Sequence, residues 1–294
     1  MLFRSYVYSG GATIDTAGRN LKVGAPLEAP EGNGVESIPL PNEIASLKAW
    51  EYIAAPAVKI TDPTGVGTGA TAVAIYNTTT GKVTGFRVLN RGNNYTSAQA
   101  TISKGGYTNT FTVACVVTAN GSGSFTKKGT GKLVLDCANT YTGATVVAGG
   151  TLVSSNAAAL TSTRALRLEG GTLDLTTQNI SDLTAVEQVV LAGGTVINDA
   201  GSVTLPENKC ALDLVAAKEG RATTVTSGMT LPSTLALLNG DQAVKADRSY
   251  TLLTLPEGYA GQIPTVTGVP APWMLSVSGR KLRLVYPRFT ITFR

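Results

Sequence analysis

Three aspartates, Asp136, Asp174 and Asp199, come nearest in this sequence to side chains that could do chemistry. Asp136 and Asp174 close short apolar runs. There a carboxylate stands at the end of a strand and could serve a glycosidase or polysaccharide lyase. Spacing alone sets no two of them at a catalytic separation. The chain has no histidine. That removes Ser-His and Cys-His nucleophile pairs and the commonest metal ligand. Cys115, Cys137 and Cys210 form no C-x-x-C pair, so they read as small buried hydrophobes rather than zinc ligands. No Asp-rich calcium loop appears. Gly65–Ala70, GVGTGA, has the look of a phosphate loop. The run that follows, AVAIY, is strand-like, and no helix N-terminus follows to hold a phosphate. Gly129–Leu133, GTGKL, lacks the earlier glycine of a nucleotide loop and has Leu where Ser or Thr is needed. The expectation is no catalytic residue, no metal ligand and no cofactor.

Charge offers a different chemistry. Residues 63–135 carry seven basic and no acidic side chains, within a chain of net charge +5. Tyr76, Phe86, Tyr95, Tyr107 and Phe111 are interleaved among them. Such a segment could bind acidic polysaccharide, mucin glycans or extracellular DNA. Arg87, Arg91 and Lys104 are its candidate contacts. At the other end, Arg280, Lys281, Arg283, Arg288 and Arg294 would charge the last strand edge against aggregation.

The elements that must position these groups are short strands. Double glycines recur in GGATID (Gly10–Asp15), GGTLV (Gly149–Val153), GGTLD (Gly170–Asp174) and GGTVI (Gly193–Ile197). The last three begin 21 and 23 residues apart. A period of about 20–25 residues with small-residue corners signals a solenoid, in which each coil buries its apolar face on its neighbours. KLVL and ATVV read as short strands, and RALRL and GTLDL alternate as strands do. The fold expected is all-β, a parallel β-helix. Pro41–Ile53, PNEIASLKAWEYI, is the exception. Ile44, Leu47, Trp50 and Ile53 fall near helical spacing and Asn42 could cap them, so a short helical insertion is expected near residues 42–53. The organisation expected is solenoid coils over 1–40, a helical side-arm over 41–56 and a Gly-rich basic β repeat over 57–124. Repeat coils follow over 125–204, then C-terminal coils and a cap over 205–294. Pro206–Val225 and Leu255–Pro272 read as loops or insertions. No run of about 20 apolar residues would form a transmembrane helix, and no standard signal peptide opens the chain.

One stretch carries a family resemblance. FTKKGTGKLVLDCANTYTGATVVAGGTL, Phe125–Leu152, resembles the autotransporter-associated β-strand repeat of bacteria. Lys127 or Lys128, Gly129, Gly131, Leu133, Leu135, Asn139, Thr140, Tyr141, Thr142, Gly143, Thr145, Val147, Gly150, Thr151 and Leu152 fall on its pattern. Gly129, Gly131, Asn139, Tyr141, Gly143, Gly149, Gly150, Gly170, Gly171, Gly193 and Gly194 are the expected structural residues of the repeats. Thr64–Ile102 is similar to a Gly-rich repeat of large bacterial surface proteins. SYTLLTLPEGYAGQIPTV and WMLSVSGRKLRLVY look like final coils of such passengers. The resemblance implies a right-handed β-helical passenger segment at a bacterial cell surface or outside the cell, structural or adhesin-like and not an enzyme. The alternatives are a polyanion-binding module and a carbohydrate-active β-helix. The partners implied are an extracellular glycan or a host or matrix surface, and further solenoid coils of a longer chain. No specific nucleic acid and no transmembrane segment are expected.

Overall fold

The computed structural model describes residues 5–176, 183, 186–198, 203–226, 229–241, 249–259 and 261–287. The chain divides into two compact units. One comprises Met1–Ala29 with Ser122–Arg294, the other Pro30–Gly121.

The first unit is a parallel β-helix. Each coil gives one strand to each of two long sheets. The first sheet runs Ala12–Asp15, Phe125–Lys128, Thr145–Val147, Ala165–Leu168, Gln188–Leu191, Cys210–Asp213, Thr234–Leu238 and Thr265–Thr267, all parallel. The second runs Leu21–Val23, Lys132–Leu135, Thr151–Ser154, Thr172–Asp174, Thr195–Ile197, Thr223–Val225 and Ser249–Thr254. Register stacks like on like. Leu133 pairs with Leu152, Leu152 with Leu173, Leu173 with Val196, and Val196 with Val225. These side chains are buried, as are Phe125, Leu166, Val189 and Cys210 of the first sheet. Each large aliphatic side chain so buried contributes roughly 1.5–3 kcal/mol. Beside them, Thr151, Thr172, Thr195 and Thr224 form a half-buried column in register. Branching at Cβ favours the extended backbone there. The second sheet ends on an antiparallel hairpin. Lys281–Val285 pairs with both Ser249–Thr254 and Met274–Ser278.

Two segments that read as loops contain structure. Within Pro206–Val225 the chain forms the strand Cys210–Asp213, the helix Leu214–Lys218 and the strand Thr223–Val225. Within Leu255–Pro272 it forms Thr265–Thr267. The strands in these segments are only three or four residues long, too short for an alternating pattern to stand out.

The second unit is antiparallel. Asn33–Ser37 pairs with Val116–Ala119, so residues 30–40 form no coil. Ala57–Thr61, Gln99–Ser103 and Phe111–Ala114 make a three-stranded sheet, and Thr71–Asn77 with Lys82–Asn90 a hairpin. Val35, Ile44, Tyr52, Val83, Tyr95 and Ile102 lie in its core. The helix expected near residues 42–53 is only Asn42–Ala45. Pro41, not Asn42, stands at its N-cap and offers no side-chain hydrogen bond. A single turn without a side-chain N-cap does not propagate. Ile44 is buried, but Trp50 and Ile53, expected on the same face, are exposed.

Candidate functional site

The stretch 125–153 spends its polar side chains on joining coils. Lys127 follows Thr126 in a strand whose alternate residues point inward, which drives its side chain into the corner between the two sheets. It is fully buried. Its Nζ donates to the carbonyls of Gly129 at 2.8 Å, Gly149 at 2.9 Å and Lys128 at 3.0 Å, and to Thr16 Oγ1 at 3.1 Å. The amine therefore ties three successive coils. Burial pushes its pKa below the usual lysine value, opposed in part by the charge of Asp15. Lys128, its neighbour, is exposed and faces Asp15.

Asn139 does the same at the opposite bend. Its side-chain oxygen accepts from Leu27 N and its amide donates to Ala159 O, both at 2.9 Å, so it too bridges three coils. The Tyr141 hydroxyl shares a hydrogen bond with Thr145 Oγ1, which shares another with Thr163 Oγ1. Burial pushes the Tyr141 phenol up to about 12. At the corners, Gly150 has φ +62°, and a Cβ there would overlap the Gly129 and Gly131 carbonyls. Gly194 has φ +78° and its Cβ would overlap Gly171 O. The pairs Gly149–Gly150, Gly170–Gly171 and Gly193–Gly194 join the first sheet to the second. Gly10–Gly11 stands at the other corner, where the chain enters the first sheet, as Gly123 and Gly143 do.

Residues 125–153 match the family model of the passenger-associated-transport-repeat. No curated protein and no solved structure gives a match. The stretch is thus similar to a repeat of autotransporter passengers. In the passenger repeat of this chain, the lysine and the asparagine are internal struts.

Among the described residues, Asp136 and Asp174 each spend their carboxylate on local contacts. Asp136 forms an ion pair with Lys22 and accepts from Ser155 Oγ at 2.9 Å, and these contacts lower its pKa. Asp174 accepts from Thr176 N at 3.0 Å. Asp136 follows Leu135, which pairs with Ser154 of the next coil, and Asp174 lies one coil further on. Their strands stand two spacings apart, roughly 10 Å at the backbone. Asp199 lies outside the described residues. Among the described residues no three acidic, cysteine or histidine side chains form a metal group. All three cysteines are free. Burial raises the Cys115 thiol and pushes Cys210 up to about 12, which leaves both poor nucleophiles.

The basic segment is divided between the units. Lys127, Lys128 and Lys132 belong to the β-helix. Arg87, Arg91 and Lys104 belong to the second unit, whose six basic side chains meet five acidic ones. Arg91 bonds Glu36 at 2.8 Å and the Thr118 carbonyl at 3.3 Å. Arg87 is exposed on the hairpin opposite Val73, and Lys104 is exposed in the turn after Gln99–Ser103. Gly65–Ala70 is a turn held by Asp62, which accepts from Thr64 N and Gly67 N at 2.8 Å each. Asp62 also accepts from Ser97 Oγ at 3.4 Å, Thr68 of the turn exchanges backbone bonds with Asn93, and the strand Thr71–Asn77 follows.

Sequence reading passed over a polar cluster on the β-helix. Arg167 pairs with Glu169 at 2.6 Å and with the nearly buried Asp213 at 3.0 Å, and Asp213 also accepts from Asn239 and Val215 N. Its bonds to Asn239, Arg167 and Val215 hold the Asp213 carboxyl below the usual carboxylate range against burial. Asp213 preceding LVAAK was the available signal, an N-cap. The exposed Trp50 was missed because its spacing suggested a buried helical face.

Proposed function

We infer that this chain is a passenger segment of a bacterial surface or secreted protein, a stack of coils that carries residues 30–121 as a displayed adhesive unit. The observation behind this reading is where the polar residues of the passenger repeat go. Lys127, Asn139 and Thr145 face inward and bond between coils, and Tyr141 bonds Thr145, which favours a role in stiffness for the repeat. Stacked ladders make a rigid support, and binding then falls to insertions and loops. The inserted residues leave the stack after the first coil and return before the second, as an autonomous surface insertion does. The repeat family is structural, which favours a role without catalysis. No helix among the described residues is long and apolar enough to cross a membrane.

Protease shaving of intact source cells, followed by immunoblotting of fractions, tests this. Loss of the band from intact cells, with a cytosolic control spared, is the expected result. A band that stays in the cytosol and survives shaving would overturn the surface reading.

A further inference from the structure

Within residues 30–121, the segment Trp50–Ala54 crosses two turns. Trp50 N donates to Thr80 O at 3.2 Å, and Ile53 N to Gly105 O at 2.9 Å. Tyr52 between them points inward, 1% exposed, with its ring 5.4 Å from that of Tyr107 and its carbonyl accepting from the Tyr76 hydroxyl. The segment is therefore pinned at both ends and in the middle. Two of its outward side chains are large and apolar, with the half-buried Glu51 between them and the exposed Ala54 after them. Trp50 is 56% exposed and Ile53 is 72% exposed.

Trp50 has φ +66°. A bulky residue rarely adopts this region, and its strain persists only where the surroundings impose it. Gly81 makes the approach feasible, because a Cβ there would lie 2.6 Å from the Trp50 Cα and 2.8 Å from the indole Cε3. Glycine or asparagine would meet the backbone requirement at position 50 better than tryptophan. The core does not need the indole, since most of it is in water. A strained, exposed and immobilised aromatic ring is a cost to folding, and such costs gather at binding sites.

The surroundings select the ligand. The turn under Trp50 reads Asn77-Thr78-Thr79-Thr80-Gly81, and the turn under Ile53 reads Gly105-Gly106-Tyr107-Thr108-Asn109-Thr110. Neither turn carries a charge within it, although Lys82 and Lys104 adjoin the two turns and Glu51 lies between Trp50 and Ile53, and their threonines are exposed. A protein-docking patch would continue as a contiguous apolar area. Here two apolar side chains stand among hydroxyls and amides. A sugar ring has the matching surface, with a C–H face to lie on the indole and hydroxyls around its rim to meet threonine and asparagine.

We propose that Trp50 is a stacking platform for a neutral glycan, with the Thr78–Thr80 and Thr108–Thr110 turns as its polar border. This rests on the reading of residues 30–121 as the displayed unit and names that unit's partner. It is separate from the polyanion reading, because none of Arg87, Arg91 and Lys104 is required.

The chain has two tryptophans, and Trp273 is buried in the β-helix beside Tyr250 and Tyr286. In full-length Trp273→Phe protein, Trp50 alone reports. Titration with cellohexaose, maltohexaose, mannohexaose and N-acetylchitohexaose, backed by an array of neutral and acidic glycans, is the test. The expected result is a saturable blue shift with at least one neutral glycan, unchanged between low and high salt. Trp50→Ala, in the otherwise unaltered chain, should weaken array binding at least tenfold. Trp50→Gly should do the same while the melting temperature holds or rises, because glycine relieves the strained backbone. No shift with any neutral glycan, binding only to acidic glycans or to polypeptide, or Trp50→Gly binding as tightly as the parent would overturn the proposal. A surface-located chain blind to neutral glycans would fail this proposal alone. A cytosolic chain that stacks sugars would fail only the surface reading.

Discussion

Lys127 carries an ammonium group into a corner lined by carbonyl oxygens, the least expected side chain in an apolar stack. Its bonds offset the burial of its charge. Lys127→Met would fit the space and strip the Gly129 and Gly149 carbonyls of this donor. A loss of about 2–3 kcal/mol in urea unfolding is expected, from bonds to a charged group. The pH dependence has a definite sign. The folded pKa lies below the unfolded value of 10.5. Above the folded pKa the native chain has released a proton that the unfolded chain keeps, so stability rises with pH in that window. The advantage of the parent over Lys127→Met should therefore grow as pH approaches 10.5 from below, and be flat at neutral pH. Asn139→Ala removes two buried bonds and should cost about 3 kcal/mol in the same assay. In the sequence, the N-T-Y-T-G and G-T-L residues announced a repeat, but not what each one does. Lys127 and Lys128 are indistinguishable by type, and only the alternation of the strand decides which is buried.

At the scale of elements, the corner glycines separate two physical effects. Gly194→Ala meets both a left-handed backbone and the Gly171 carbonyl, and should cost more than about 2 kcal/mol. Gly220→Ala, at φ +80° with open space around it, meets only the backbone requirement and should cost about 1 kcal/mol. Equal urea midpoints for the two variants would contradict the account of close-packed corners. Most strands of the β-helix were legible because each coil repeats an alternating apolar run after a glycine corner. The strands Cys210–Asp213 and Thr265–Thr267 were not, since longer excursions separate them from their neighbours and erase the period. The helix after Pro41 was overread. Apolar residues at helical spacing say nothing about whether the turns between them are capped, and here one tight arch turns half of them outward.

At the scale of the molecule, the charge blocks of the sequence misled for a physical reason. A basic run along the chain becomes a basic surface only if the fold keeps it together. Here it is split between two units, and in the second unit acidic residues from 30–62 balance it. The division itself was hidden, because both units are built of short β-strands with similar composition. Its evidence is in register. Phe125 pairs with Ala12 and Leu133 with Leu21, so the coil before the insertion stacks directly on the coil after it. A stack closed in this way does not need residues 30–121. The most direct measurement is a far-UV circular dichroism melt of a chain in which a short Gly/Ser linker replaces them. The account predicts a β-rich spectrum and a single cooperative transition, with Trp273 emission still that of a buried ring. A spectrum without ordered β-structure, or a melt without cooperativity, would contradict it.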